Sequence, residues 1–355
     1  MGILICAILH SARQRHSIQG MNMDNLYDVV IIGGGVGGLQ AAIHAGRYGW
    51  KTLVIDRSKG RTFYTPRYMN MLGYPEGVSG MDLLKKGKKQ AEQYGVQFLM
   101  KVATDVRKDE DGLFTITAQR RKELKEGTKD QIDIVRAKKL VISTGIMDRH
   151  PEVPNVYHWA GYGIYYCADC DGYEVLNQRV VVVGKGNAAP SKALMLLNWT
   201  KHITVVNVDP TATISDELMQ QLAEYEIPVY HSPLKEFVGE DRERVEQVIL
   251  QDGTIIESDK VFSALGMYSV HSELAKKLGV ETLDNGHITV DPRTKQTSVP
   301  GVWAVGDIVA HTQQAMIAIG EGAQAGVWIN KILRQEGHMP ERWVNWSTSK
   351  EPVLL

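Results

Sequence analysis

The stretch YDVVIIGGGVGG (residues 27–38) joins a continuous apolar strand directly to a glycine-rich turn. Residues 39–48 then carry a helical pattern, and residues 51–55 form a second apolar run that ends at Asp56. A strand, a Gly-x-Gly-x-x-Gly turn, a helix and a second strand ending in an acidic residue make the βαβ unit that binds dinucleotides. The sequence therefore predicts an α/β fold with a parallel sheet.

The glycines of this turn have separate physical roles. Gly33 allows the tight bend, Gly35 lets the backbone approach a pyrophosphate, and Gly38 lets the helix pack closely on the strand. The first N–H groups of the helix have no partner within it and can face phosphates, while Asp56 can accept from ribose hydroxyls. The predicted cofactor contacts of this unit are Gly33, Gly35, Val36, Gly37, Gly38, Asp56 and Arg57.

A second unit of the same kind begins at Arg179. Its strand leads into the turn GKGNAA (residues 184–189), and the strand at residues 261–266 closes it as residues 141–145 close the first unit. Residues 301–307 (GVWAVGD) then return to the first unit, where Asp307 either caps a helix or contacts a ligand. The sequence predicts two Rossmann-like, three-layer domains of the ββα/βαβ type, the first split by the second.

The predicted domain boundaries follow from these units. They give an N-terminal extension (1–23), the first part of the split dinucleotide domain (24–149), an inserted domain with the second turn (150–267), the second part of the split domain (268–335) and a tail (336–355). A charged hairpin is expected at residues 120–130, a helix at residues 81–95, and Trp343 and Trp346 belong to the tail.

Composition narrows the class of protein. The 355-residue chain is 43% hydrophobic and 23% charged with a formal net charge of −1, which is ordinary for a soluble globular protein. This charge gives no argument for a nucleic acid or an anionic membrane as partner, and no apolar run reaches the ~18 residues of a membrane-spanning helix. Three cysteines cannot build the disulfide framework of a small secreted protein, so a reducing compartment, the cytoplasm, is expected.

The segment CADCD (residues 167–171) lies between the two glycine turns. Cys167 and Cys170 are spaced to form a small-ring disulfide, and Asp171 could shuttle the proton that a leaving thiolate needs. A zinc site would require two further ligands at similar spacing, and the sequence holds no second cysteine pair. No metal is therefore expected; a pair of reduced, unreactive cysteines is the remaining alternative to a redox dithiol.

The second glycine turn lacks the charges that NADPH requires. The strand after it ends in NVDP (residues 207–210), whereas a 2′-phosphate needs arginine or lysine there. Losing two charge-assisted contacts would cost roughly 3–6 kcal/mol. NADPH binding in the usual manner is therefore not expected, although NADH is not excluded.

With these features assembled, residues 24–335 resemble the low-molecular-weight thioredoxin reductases. The resemblance is carried by the first glycine turn, NMLGYPEG (70–77), STG (143–145), CADCDG (167–172), the second glycine turn and TSVPGVWAVGD (297–307). It implies a homodimer with a split FAD domain and an inserted pyridine-nucleotide domain that carries the redox disulfide. Electrons would pass through FAD to this disulfide and on to a thioredoxin-like protein or a small disulfide.

The resemblance also implies roles for individual residues. Cys170 matches the thiol that faces the flavin, Cys167 the thiol that attacks the partner's disulfide, and Asp171 the acid–base residue. The further positions that match FAD contacts are Asn70, Thr144, Gly145, Gly306, Asp307, Gln314 and Ala315.

Two departures from the family's pattern concern the electron donor. The His-Arg-Arg-Asp stretch that holds the 2′-phosphate of NADPH is replaced by residues 207–210, and the arginine before the Gln-Ala pair is Gln313. This pattern resembles the divergent, NADPH-independent branches, which include ferredoxin-linked and deeply rooted cyanobacterial thioredoxin reductase-like proteins. The alternatives are a dithiol oxidase that passes electrons to oxygen and a non-catalytic flavin-binding or redox-sensing protein.

Overall fold

The computed structural model describes residues 25–120, 132–265 and 269–340. Several predictions concern segments outside these residues: the N-terminal extension, most of the charged hairpin, Gly266 at the end of a predicted strand, and Trp343 and Trp346 in the tail.

The strands of the described residues alternate with helices along most of the chain. In chain order the strands are β1 (Leu26–Ile32), β2 (Thr52–Ile55), β3 (Gln97–Leu99), β4 (Val102–Lys108), β5 (Phe114–Gln119), β6 (Asp133–Ile142), β7 (Ile146–Met147), β8 (Ile164–Tyr165), β9 (Val180–Gly184), β10 (Ile203–Asn207), β11 (Val229–His231), β12 (Leu234–Val238), β13 (Gln247–Leu250), β14 (Ile255–Glu257), β15 (Lys260–Ala264), β16 (Ser269–Val270) and β17 (Val302–Ala304). The helices are α1 (Val36–Arg47), α2 (Arg61–Tyr64), α3 (Gly80–Glu92), α4 (Val156–Trp159), α5 (Ala168–Asp171), α6 (Ala188–Leu196), α7 (Asp216–Glu224), α8 (Glu273–Lys277) and α9 (Ala315–Gln335), with a 3₁₀ helix at Gly172–Val175.

The first sheet is built from both ends of the described chain. Strands β3, β2, β1 and β6 are parallel neighbours, and β5 and β4 continue the sheet in antiparallel fashion. The late strand β17 pairs in parallel with the end of β6, where Val302 lies opposite Leu140. The first domain is therefore completed by residues that follow the inserted domain, as the sequence predicts.

The inserted domain has its own parallel sheet in the order β11-β10-β9-β15-β8 and a separate antiparallel sheet of β12, β13 and β14. Each parallel sheet carries apolar clusters on both faces, which gives the two cores expected of three-layer domains. The two connections between the domains run side by side, because β7 and β16 pair in antiparallel fashion through Met147 and Ser269.

Two helices differ from the sequence prediction at their ends. Helix α1 begins at Val36 rather than at residue 39, and α3 ends at Glu92 rather than at residue 95. Gly37 and Gly38 disfavour a helix by intrinsic propensity, but α9 packs directly on this turn. A Cβ on Gly322 of α9 would lie 2.2 Å from the Gly37 carbonyl oxygen, so the contact between the helices requires glycine.

Candidate active site

The first glycine turn leaves room for a dinucleotide. A Cβ on Gly33 would lie 2.1 Å from the Ser143 carbonyl oxygen, and one on Gly38 would lie 2.0 Å from the Gly33 carbonyl oxygen. Gly35 is different, because no atom of the described residues lies within 4 Å of its Cβ position. Helix α1 then begins at Val36 with no side-chain cap and no acidic residue in its first turn. Its first N–H groups can therefore face an anion.

Asp56 lies beside this turn. Its Oδ2 atom is 3.1 Å from the Cβ position of Gly34. The residue follows β2, which pairs with the strand that leads into the turn. The carboxylate is thus at the edge of the sheet where ribose hydroxyls of a dinucleotide are accepted.

Thr144 and Gly145 are hydrogen-bonded to the segment that follows β16. Thr144 Oγ1 donates to the His271 carbonyl oxygen at 2.6 Å, and His271 N donates to the Gly145 carbonyl oxygen at 3.0 Å. The ring Nε2 of His271 lies 3.2 Å from Arg57 Nη2. Since a guanidinium can only donate, Nε2 accepts here. Burial and the charge of Arg57 lower the pKa of His271, which is consistent with a neutral ring.

Arg61 connects Asp307 to the link between the domains. Its Nη1 donates to Asp307 Oδ2 at 2.9 Å, and its Nε and Nη2 donate to the two Asp148 oxygens at 2.8 and 3.0 Å. Burial alone would lower the pKa of Arg61, but the carboxylates of Asp148 and Asp307 raise it. Gln313, which replaces an expected arginine, lies beside the same guanidinium, 3.4 Å from Nη1.

The segment after β17 is held by a buried glutamate. Gly306 N donates to Glu321 Oε2 at 2.8 Å, and His311 Nε2 lies 2.8 Å from the same oxygen. His311 Nδ1 lies 2.7 Å from the Thr312 carbonyl oxygen. Both partners are acceptors, an arrangement that favours the imidazolium form of His311, which can donate from both nitrogens. The hydrogen bond to Glu321 raises the pKa of His311 accordingly.

Cys167 and Cys170 form a disulfide at the start of α5. Cys170 faces the split domain, where Gln314 Nε2 lies 3.4 Å from its Sγ. Gln314 directly precedes α9, which begins at Ala315, and its Oε1 accepts from Asn70 Nδ2 at 3.1 Å. Cys167 instead lines a cavity between the domains. The two sulfur atoms therefore have different surroundings.

Asp171 follows Cys170 directly and is largely withdrawn from solvent. Burial raises its pKa to about 7, while the positive charge of Arg61 acts against this rise. A carboxyl group with such a pKa can give up or take a proton near neutral pH. Asp171 N donates to the Cys167 carbonyl oxygen at 2.9 Å, which holds the backbone of Asp171 in the turn that carries the disulfide.

The second glycine turn is in contact with its own chain. Gly186 N donates to Asn207 Oδ1 at 3.1 Å, and the fully buried Asn207 donates from Nδ2 to the Ala212 carbonyl oxygen at 2.7 Å. The Thr213 carbonyl oxygen lies 3.0 Å from the Cβ position of Gly186. The loop after β10 therefore packs against the glycine at which backbone and pyrophosphate meet in a dinucleotide turn.

Two further contacts hold the second glycine turn and the start of α6 to the loop after β10. Lys185 Nζ lies 3.6 Å from Asp209 Oδ2. Ser215 N donates to Asn187 Oδ1 at 2.8 Å, which binds the far end of the loop to the start of α6.

The described residues hold neither a cluster of metal-ligating side chains nor a membrane-spanning helix. Residues 25–120, 132–265 and 269–340 contain no group of three or more His, Cys, Asp or Glu side chains that could hold a metal ion. Within the same part of the chain, every helix is too short or too polar to cross a membrane.

The sequence profile of the pyridine nucleotide-disulphide oxidoreductases matches residues 27–322. The chain belongs to this family. The thioredoxin reductase of Treponema pallidum (strain Nichols) is 31% identical over 313 residues, which cover 85% of this chain and 96% of the relative. That of Aquifex aeolicus (strain VF5) is 28% identical over 333 residues, covering 90% and 97%. The crystal structure of thioredoxin reductase from Streptococcus pyogenes MGAS5005 superimposes with a TM-score of 0.77 at 27% identity, covering 88% of this chain and 99% of that one.

These similarities identify a thioredoxin reductase-like disulfide oxidoreductase that uses FAD. The first glycine turn fits this cofactor, because Gly35 faces open space, α1 offers uncapped N–H groups and Asp56 lies alongside. When bound, FAD supplies two-electron redox chemistry that the protein's own side chains lack.

Several residues of the oxidoreductase's site were not predicted from the sequence. They are Arg61, Lys192, His271, His311 and Glu321. One signal was available for Glu321, since it is a charged residue within the mostly apolar and small residues of the first three turns of its helix. The others lie in loops or on short helices, where periodicity carries no information about partners distant in sequence.

Proposed function

We propose that this oxidoreductase reduces the disulfide of a thioredoxin-like protein with electrons from a donor other than NADPH. The donor assignment rests on one observation above all: Gly186 N is hydrogen-bonded to Asn207 and the Thr213 carbonyl lies against the same glycine. The protein would then belong to the pyridine-nucleotide-independent branch of the family, with a reduced ferredoxin as the candidate donor.

The energetics support this assignment. The strand β10 ends at the neutral Asn207, and Lys185 is already paired with Asp209. Two missing charge-assisted contacts to a 2′-phosphate correspond to roughly 3–6 kcal/mol, or about 10²–10⁴ in affinity. A nucleotide would also have to displace the loop that contacts Gly186.

The two cysteines have different proposed roles. Cys170, which contacts Gln314, is the sulfur that exchanges electrons with the cofactor, and Cys167, which lines the cavity, attacks the substrate's disulfide. Asp171 gives a proton to a departing thiolate and recovers it later, which its pKa of about 7 supports.

All fourteen FAD contacts that the sequence predicts remain predictions. The geometry supports those of the first turn and of Thr144, because the Cβ position of Gly33 lies 3.1 Å from Thr144 N, and those of Asn70 and Gln314, because the two side chains are hydrogen-bonded. We likewise propose domain boundaries at residues 149/150 and 267/268, next to the paired connections β7 and β16.

The assembly and the location are part of the same proposal. We propose a cytoplasmic homodimer, which the similarity to thioredoxin reductases supports. Exposed apolar side chains on the split domain, such as Leu72 (89% exposed) and Met81 (55% exposed), are consistent with a protein partner. Sedimentation velocity tests this part: a mass of one chain at micromolar concentration would contradict it.

The experiment that tests the donor is an anaerobic titration of the FAD-loaded protein. NADPH, NADH, reduced ferredoxin and a small dithiol are added in separate runs while bleaching of the flavin's visible band is followed. We expect reduced ferredoxin to bleach the flavin and oxidised thioredoxin to restore it, whereas stoichiometric NADPH leaves the band unchanged.

The other outcomes separate the alternatives. Fast bleaching by stoichiometric NADPH would show a conventional thioredoxin reductase and refute the proposed donor. Bleaching by small dithiols, with oxygen consumption and no transfer to thioredoxin, would show a dithiol oxidase. A flavin that none of these reagents reduces would show a protein that only binds or senses.

A further inference from the structure

A cavity of about 450 Å³ lies between the two domains, at Cys167. The inserted domain contributes the turn that carries the disulfide, the first turns of α6 and the end of β15; the split domain contributes α2, the link after β7 and the segment before α9. The lining residues used below are Arg61, Asp148, Arg149, Cys167, Asp169, Lys192 and His311. This volume suits a small molecule.

Lys192, a half-buried cation, lines this cavity. Its Nζ donates to the Tyr166 carbonyl oxygen and, at 3.2 Å, to the Ser263 carbonyl oxygen. Among the described residues no carboxylate lies within ion-pair distance of it. These two carbonyl oxygens accept from Lys192 without carrying a charge that would neutralise it, and its ammonium has a third N–H to donate. Burial lowers the pKa of Lys192, while the negative charges of Asp148, Asp171 and Asp169 act against this shift.

Most of the basic groups that line the cavity are already paired with carboxylates. Arg61 is paired with Asp148 and Asp307, and His311 with Glu321, so Lys192 and Arg149 are the described lining cations left for a ligand. Both oxygens of Asp148 accept from one edge of the Arg61 guanidinium, its Nε and Nη2, so Asp148 offers little to a ligand. Arg149 is paired with the exposed Glu152, at 3.5 Å, and remains able to bind an anion.

We infer that this cavity binds a small disulfide that carries carboxylate groups, with Lys192 and Arg149 as its anion contacts and Cys167 as the sulfur that reacts with it. The inference deepens the proposed function, because it requires the Cys167–Cys170 pair to be turned over. It adds a substrate class that reaches Cys167 while Cys170 stays against Gln314.

The reaction balances within the protein and this substrate. The Cys167 thiolate attacks one sulfur of the small disulfide, forming a mixed disulfide and releasing the first thiolate. The Cys170 thiolate then attacks Cys167 Sγ, forming the Cys167–Cys170 bond and releasing the second thiolate. The two protons of the cysteine pair go to the two small thiols; the pair is oxidised by two electrons and the small disulfide is reduced by two.

The test uses three disulfides of similar size and different charge: dithiodipropionate (anionic), bis(hydroxyethyl) disulfide (neutral) and cystamine (cationic). The cysteine pair of the anaerobic, FAD-loaded protein is reduced with a phosphine, which is then removed. Each disulfide is added, samples are quenched with an alkylating agent, and the loss of two alkylated thiols is followed by intact mass. The rate with each disulfide is divided by the rate at which dithiothreitol reduces the same disulfide, which corrects for that disulfide's intrinsic reactivity.

We expect the corrected rate for the anionic disulfide to exceed that for the neutral one by about tenfold, which corresponds to ~1.4 kcal/mol, and cystamine to be slowest. In Lys192→Met the corrected rates for the three disulfides should become similar, whereas Lys192→Arg should keep most of the preference for the anionic disulfide. Lys201→Met, which removes an exposed cation of the same domain away from the cavity, should leave the order unchanged. Arg149→Gln, at an exposed position that tolerates substitution, should reduce the preference about threefold.

Equal corrected rates for the three disulfides in the wild-type protein would overturn the inference, as would an unchanged preference in both Lys192→Met and Arg149→Gln. Oxidised bacterial thioredoxin is run in parallel. If it oxidises the reduced pair while the small disulfides show no preference, only this inference fails. If neither thioredoxin nor any small disulfide oxidises the pair, the proposed function fails with it.

Discussion

The side-chain oxygen of Asn207 accepts a hydrogen bond from the backbone nitrogen of Gly186 at 3.1 Å. Twenty-one residues separate the two, and the bond joins the end of one strand to the turn after its neighbour. In a turn that binds a dinucleotide, the backbone at this glycine is left open to phosphate. Here the side chain and the loop behind it form part of the packing of the inserted domain.

The structural role of Asn207 leads to the first prediction. Asn207→Leu removes the acceptor for the buried Gly186 N and the donor to the half-buried Ala212 carbonyl. We expect the free energy of unfolding to fall by about 1–3 kcal/mol, measured by chemical denaturation. Asn198→Leu, at an exposed position of the same domain, is the control and should change stability little. Equal losses in the two variants would refute the role of this bond.

Two glycines of the first turn should respond to alanine in opposite ways. Gly35→Ala places a methyl group where no described protein atom lies within 4 Å, so the protein should fold normally and bind FAD more weakly. Gly38→Ala places it 2.0 Å from a backbone oxygen, so folding itself should be impaired. Thermal unfolding and the FAD content of the purified variants separate the two effects, with the open helical position Gly320→Ala as control. Normal FAD affinity in Gly35→Ala would contradict the predicted approach of the pyrophosphate.

Asp171 should make stability depend on pH. Burial raises its pKa to about 7 in the folded protein, against an ordinary value of 3.8 for an aspartate, so the folded state binds the proton more tightly than the unfolded state. The stabilisation that the protonated Asp171 gives the folded state is complete at acid pH and is lost as pH rises towards 7. Between pH 5 and 7 we expect the wild type to lose on the order of 1 kcal/mol per pH unit relative to Asp171→Asn. Parallel pH profiles of unfolding in the two proteins would show that Asp171 does not carry this proton.

Arg61 should influence cofactor binding through Asp307. Arg61→Met leaves Asp307 and Asp148 without the guanidinium that orients them. We expect the dissociation constant of FAD, measured by equilibrium dialysis, to rise about tenfold, which is the effect of one charge-assisted hydrogen bond. Arg67→Met, an exposed arginine six residues later, is the control. The same FAD affinity in both variants would mean that Arg61 does not position Asp307.

The sequence was sufficient for the parts of the fold that local patterns determine. The strand before Gly33, the glycine turn and the acidic residue after β2 follow from the residue pattern of some thirty positions, and the structure confirms them. The start of α1 was missed by three residues because its glycines are tolerated only through packing against Gly322, which lies far along the chain.

The site could be predicted only where a motif marks it. Cys167, Cys170 and Asp171 are adjacent in sequence, so their proximity is unavoidable. The contact of Arg61 with Asp148 spans 87 residues, and that with Asp307 spans 246. No periodicity or spacing relates such residues, and the fold alone brings them together.

The pairing of β17 with β6 has a consequence for the order of folding during synthesis. The parallel sheet of the inserted domain has all its strands once residue 264 has been made, whereas the first sheet lacks β17 until residue 304 follows. Domains fold as units as the chain leaves the ribosome. The domain that begins second is therefore the one that can be finished first, and the N-terminal half-sheet must wait, with the end of β6 (140–142) unpaired on one side, for its last strand to arrive.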